Sequence, residues 1–260
     1  MDWTSARTYR HDRWLIIAGM MVVTLVAWSY LFEAANSMLP HSMAMPMDMP
    51  ATPAWDGGLL VGSGVMWSIM MIAMMLPGAT PMVLGYTRVQ HQRRTPEQAV
   101  RLTGLFIAGY LMVWILFSLM AAVAQWTLYG LGMMSSAMGQ TDPLLASAFL
   151  IGAGVFQWSN LKDACLTQCR SPLDFLLNEW REGARGALVM GLHHGLFCIG
   201  CCWMLMLLMF VGGVMNLLWM AAITLYVLAE KLLPRMRELS RLTGGILVIS
   251  GVVLLLINLI

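Results

Sequence analysis

LTGLFIAGYLMVWILFSLMAAVAQWTLY, residues 102–129, runs without a single charged side chain. A helix needs about 20 mostly apolar residues to cross the hydrocarbon of a bilayer. In lipid every backbone polar group must find its partner inside the segment, which a helix provides. This stretch therefore reads as a transmembrane helix, and the rest of the chain repeats the pattern. Of its 260 residues, 59% are hydrophobic and 11% charged, against about 25% charged in soluble domains. Lipid is the solvent this composition suits. A net charge of +2 gives no reason to expect a nucleic-acid partner.

Seven segments have the required length: 14–32, 59–86, 102–129, 143–159, 186–210, 214–230 and 243–260. Lysine and arginine collect on the cytoplasmic side of short connections. Here all 15 basic residues lie before the first segment or in the 87–101, 160–185 and 231–242 connections. The alternate connections 33–58, 130–142 and 211–213 hold none. The fold expected is an all-α polytopic bundle of about seven spans, a single membrane domain over 1–260, with the N-terminus cytoplasmic and the C-terminus outside. Trp14, Trp28, Trp55, Trp126, Trp158, Trp180 and Trp219 fall near segment ends, where indole rings favour the interface. Trp67, Trp114 and Trp203 do not, and should pack between helices. Residues 1–32 carry a basic start, but their apolar run exceeds the roughly 7–15 residues of a signal peptide. They read as a retained span.

Two regions are rich in methionine. The outside segment SMLPHSMAMPMDMP, residues 37–50, interleaves Met43, Met45, Met47 and Met49 with small residues and prolines. Proline opposes a regular helix, so the segment is expected to be extended. It either skims the lipid surface or captures a soft cation. Thioethers select Cu(I) over harder ions, and capture is the favoured reading. In VMWSIMMIAMMLPGATPM, residues 65–82, Met66, Met70 and Met74 recur at helical spacing beside a second row that includes Met71, Met75 and Met82. Pro77 and Pro81 should distort that helix. Ordinary packing explains any single methionine here, whereas a thioether relay explains the group.

GLHHGLFCIGCCWMLM, residues 191–206, carries His193, His194, Cys198, Cys201 and Cys202 inside an apolar span. At about 100° per residue, Met190, His194, Cys198 and Cys201 share an arc of about 80°, with Cys202 at its edge and His193 pointing away. Ionisable groups at membrane depth are functional candidates. Metal ligation competes here with a structural polar cluster and with redox thiols. LKDACLTQCRSP, residues 161–172, adds Cys165 and Cys169, which share a face if helical and could fold onto the entrance of the 186–210 helix. Glu230 and Lys231 read as an interfacial charge pair, and 174–185 as an amphipathic interfacial helix with Phe175, Leu176, Leu177 and Trp180 on its apolar side. Asn216 reads as a helix cap.

On MMIAMMLPGATPM (70–82), LKDACLTQCRSP (161–172) and GLHHGLFCIGCCWMLM (191–206) the chain resembles a bacterial family of metal-binding integral membrane proteins, a domain of otherwise unknown function. The resemblance implies a multi-helix protein of the bacterial inner membrane with a metal site, and supplies no activity. The residues themselves point to Cu(I) as the metal handled, with zinc and iron as alternatives. The partners expected are membrane lipid, the metal ion, and a soluble metallochaperone or recipient metalloprotein. The competing class is a membrane redox enzyme or subunit with metal or haem at the His/Cys cluster.

Overall fold

The computed structural model describes residues 3–44, 57–134, 140–233 and 236–259. Among these residues the protein is all-helical, and an isolated bridge between Met134 and Thr141 stands outside the helices. In chain order the helices are α1 (Trp3–Ala44), α2 (Gly57–Arg93), α3 (Pro96–Gly130), α4 (Pro143–Phe156), α5 (Asn160–Arg170), α6 (Pro172–Asn178), α7 (Gly183–Leu207), α8 (Met209–Gly212), α9 (Leu217–Leu232) and α10 (Met236–Leu259).

Five stretches are long and apolar enough to cross a membrane: 11–37, 60–93, 96–130, 183–212 and 237–259. They coincide with five of the seven segments expected. The fourth, 143–159, becomes α4, which turns by 66° into α5. The sixth becomes α9, whose 16 residues extend about 24 Å, less than the roughly 30 Å of a bilayer core. The outer faces of α1 and α10 are apolar and exposed: Leu25 is 61% accessible and Ile257 67%. Such surfaces are compatible with insertion in lipid.

Capping chemistry sets several boundaries. Pro96 and Pro143 open α3 and α4, where a missing N–H costs nothing. The Asp142 carboxylate accepts from the Leu144 N–H at 3.1 Å, and Ser159 Oγ accepts from the Lys162 N–H at 3.2 Å. Asn216 caps α9 as expected, accepting from the Trp219 N–H at 3.1 Å. Two expectations fail. α1 continues through Pro40 to Ala44, so residues 37–44 are helical rather than extended. α6 ends at Asn178, so 174–185 is not one amphipathic helix. Phe175 and Leu176 turn into the core while Leu177 stays exposed.

α2 remains one helix through Pro77 and Pro81. Pro77 cannot donate to the Ala73 carbonyl four residues earlier. The Trp28 indole N–H on α1 takes that place, donating to Ala73 O at 3.3 Å. A neighbouring helix thus satisfies the carbonyl that the proline frees. Trp67 and Trp114 are fully buried between helices, as their positions within the spans required.

α3 lies most intimately against α7, and α2 against α3. Glycine makes the first contact possible. A Cβ on Gly191 would stand 2.1 Å from the Phe106 carbonyl oxygen, and one on Gly109 would stand 2.3 Å from that of Leu188. Gly191 and Gly195, four residues apart, bring the α7 backbone onto α3 in the manner of small-residue packing between membrane helices. The histidines and cysteines of α7 follow directly from this ridge.

Candidate metal site

α7 carries its sulfurs into the middle of the helix assembly. Cys198, Cys201 and Cys202 are at most 2% accessible. Cys201 and Cys202 both donate to the Cys198 carbonyl, at 3.1 and 2.8 Å, which turns their sulfurs along the helix toward its preceding turn. α5 supplies the facing thiols. Cys165 and Cys169 are buried on one side of that helix, and Cys169 Sγ stands 4.0 Å from Cys201 Sγ. Cys165 Sγ rests on Gly200, 2.6 Å from where a Cβ would be. Any larger residue at 200 would drive α5 off α7. The CxxxC stretch therefore packs on the histidine-bearing helix, at Gly200 and Cys201 rather than at the helix entrance.

α2 adds a thioether. Met75 Sδ lies 4.0 Å from Cys202 Sγ and 3.9 Å from Lys231 Nζ. Met71 and Met74 are buried in the same helix. Lys231 Nζ donates to Cys198 Sγ at 2.9 Å, and Tyr110 OH lies 3.2 Å from that sulfur while donating to Met75 O at 3.0 Å. Sulfurs of α2 and α7 thus meet around one lysine and one tyrosine, with the α5 thiol of Cys169 beside Cys201.

His194 is 2% accessible and stands among Phe106, Tyr110 and Phe175, with ring centroids 5.5–6.0 Å away. Its Nδ1 is buried with no hydrogen-bond partner, an atom left with a lone pair or a proton to place. His193 turns elsewhere, Nδ1 meeting Glu179 Oε2 at 2.9 Å, so the two imidazoles do not share a site. Met190 is buried, but its sulfur accepts from the Arg181 backbone N–H at 3.4 Å. Met43 lies in the last turn of α1, its side chain outside the described residues. Met45, Met47, Met49 and Trp55 lie outside them altogether. Among the described residues, no three His, Cys, Asp or Glu side chains surround one point closely enough to ligate an ion together. The geometry offers instead a close thiol pair and, next to it, a thiol–thioether group.

Glu230 and Lys231 overturn the expectation of an interfacial pair. They are adjacent on α9, both buried, and point to different partners. Glu230 receives the Lys162 ammonium at 2.7 and 2.8 Å on its two oxygens. Tyr226 OH and Ser240 Oγ also donate to Oε1, each at 2.7 Å. Lys162 donates as well to Gln157 Oε1, and Arg170 Nε caps the Glu230 carbonyl at 2.6 Å. A charge this deep requires such complete pairing. The network joins α5, α9, α10 and the turn after α4, where Gln157 stands, on the flank of the thiols. Sequence reasoning saw the acid and the base side by side, but not that α5 supplies a better-placed cation for the acid.

At the end of α2, Glu182 binds Arg93 at 2.9 Å and Arg94 at 3.0 Å, with Arg93 stacked 4.8 Å above the Trp180 ring. The Trp180 N–H, then the arginines, hold the Glu182 carboxyl below its usual range. This clamp therefore persists from neutral pH downward and is released only as acid protonates Glu182 below the ordinary glutamate range.

The described residues thus form long apolar helices around buried thiols and a thioether, donors of the kind that suit a soft metal. Residues 64–254 match the copper chaperone family PpoB2, and the chain belongs to that family. The match takes in α2 from Gly64 through most of α10 and leaves the methionine-rich 37–50 segment outside it. No curated protein and no solved structure matches the chain.

Proposed function

We propose that the protein is an integral copper chaperone of the bacterial inner membrane. It takes Cu(I) as cargo onto sulfur and passes it to a recipient metalloprotein. The observation that carries the reading is the approach of Cys169 on α5 to Cys201 on α7, 4.0 Å between sulfurs. With metal–sulfur bonds of about 2.3 Å, as zinc–thiolate bonds are, one ion fits between two sulfurs so spaced. Thiolate and thioether donors select Cu(I), and Cys198, Cys202 and Met75 extend the set. His194 Nδ1, buried and unpartnered, is the nitrogen donor nearest in sequence to these thiols. Zinc and iron suit this donor set less well, because the thioether contributes little to a harder ion.

In this reading Met43, Met45, Met47 and Met49 collect the ion outside, and Met66, Met70, Met71 and Met74 pass it along α2. Met66 and Met75 are separated by about 14 Å along the helix. With seven spans and the N-terminus inside, α7 starts on the cytoplasmic side at Gly183, and its thiols lie about 23–29 Å along it, deep in the helix assembly. α4 with α5 and the short α9 then serve as the two irregular spans, each with one face packed on its neighbours and an apolar face left exposed, as at Leu218 and Val155. Met190 and His193, held by Arg181 and Glu179, sit at the rim of the site.

The test is a Cu(I) competition titration against a chromophoric chelator with detergent-purified protein. The wild type should bind Cu(I), and Cys169→Ser or Cys201→Ser should weaken binding by more than tenfold, about 1.4 kcal/mol, without loss of helix content. Equal affinity in the wild type and both variants would overturn the assignment.

A further inference from the structure

The chain contains two lysines, Lys162 and Lys231; every other basic residue is arginine. Both lysines are buried, 1% and 7% accessible. Lys162 is accounted for by the Glu230 carboxylate. Lys231 is not paired with a carboxylate of its own. Among the described residues its ammonium meets Cys198 Sγ at 2.9 Å and Met75 Sδ at 3.9 Å. A thioether is a weak hydrogen-bond acceptor and a good soft-metal ligand. Two sulfurs from two helices therefore face one cation, in a pocket whose donors suit a metal better than an ammonium.

We propose that the Lys231 ammonium and a cuprous ion are alternative occupants of the same position between Met75 and Cys198. Loading is then an exchange of one cation for the other. The proposal rests on the copper reading above and deepens it. No bond is oxidised or reduced. With Cys198 a thiolate in both states, no proton is released: copper forms its bonds to Cys198 Sγ and Met75 Sδ, the N–H···S contacts break, and the ammonium leaves with its charge. Because both cations carry a single positive charge, the pocket's balance is the same before and after. A divalent ion taken in exchange would leave one charge in excess, costly at this depth. The exchange therefore favours a monovalent soft ion over zinc.

The fold provides the way out. Lys231 lies in the last turn of α9, beside Leu232 and Leu233, each about half exposed. Its stem passes over Gly78 of α2, where a Cβ would stand 3.2 Å from Lys231 Cδ and 3.4 Å from Nζ. A lysine here can withdraw its four-carbon stem and carry its head to water. Arginine's planar fork would not suit that role, since it is built for bidentate partners.

The full-length protein in detergent tests the exchange by amine acylation, read residue by residue by mass spectrometry with and without bound Cu(I). Because the chain has two lysines, Lys162 serves as the internal control. Copper should raise acylation of Lys231 several-fold while Lys162, held by Glu230, stays unchanged. Ag(I), of equal charge, should reproduce the effect, and Zn(II) at the same occupancy should not. Copper bound with Lys231 acylation unchanged or lowered overturns the exchange alone. A Zn(II) effect as large as that of Cu(I) overturns the charge matching. A protein that binds no Cu(I) overturns the copper reading and this proposal together.

Discussion

Single side chains in this protein are placed by what a low-dielectric interior tolerates. Two ammonium groups and a carboxylate lie buried within a few residues of the thiols, and each has partners because an uncompensated charge there would cost several kcal/mol. The Lys162–Glu230 pair, with Tyr226, Ser240 and Gln157 around it, illustrates the asymmetry. Glu230→Ala strands the Lys162 ammonium and should cost about 3–5 kcal/mol, seen as a large drop in the thermal unfolding midpoint in detergent. The double variant Lys162→Met with Glu230→Leu removes both charges and should recover most of that loss. If the double variant were as unstable as the single, the network would matter for something other than charge pairing. His194 shows the converse case, an imidazole held among aromatic rings with one buried nitrogen unpaired, the atom that the proposed copper site would use.

Helices meet here through features that a hydropathy pattern does not rank. Trp28 on α1 serves the carbonyl that Pro77 frees in α2, and the helix continues past the proline. Gly191 and Gly195 bracket the two histidines and let α7 touch the α3 backbone. Gly191→Ala places a Cβ 2.1 Å from Phe106 O, contact with a main-chain atom that no side-chain rotation relieves. It should destabilise the protein by about 1–3 kcal/mol. Because α7 must move as a body, it should also weaken Cu(I) binding through Cys198 and Cys201, which the alanine itself does not touch. A chelator titration of the same purified variant checks both consequences. Unchanged stability would mean that the α3–α7 contact is looser than the structure shows.

At the scale of the whole molecule, α1 and α10 present exposed apolar faces, compatible with lipid, while the thiols of α7 are buried in protein. In the proposed topology, which rests on the positive-inside rule, the 87–101 and 160–185 connections are cytoplasmic. Single cysteines introduced at Gln92 and Gln140, in a background lacking the native five, should react oppositely with a membrane-impermeant thiol reagent on intact cells: Gln140 labelled, Gln92 protected. Labelling of both from outside would overturn the topology. Composition, the seven apolar runs and the crowding of thiols and imidazoles near 191–206 were sufficient to read an all-helical protein with a soft-donor site, because hydrophobic period and ligand chemistry are local properties of the chain. Which donors meet was not local. That Cys169 faces Cys201, that Met190 and His193 turn to Arg181 and Glu179, and that Glu230 and Lys231 part company all depend on how helices distant in sequence cross. Those crossings are set by glycine contacts, by a tryptophan serving another helix's carbonyl, and by the need to pair every buried charge. Each is a relation between residues far apart in the chain and becomes visible only when the helices are packed.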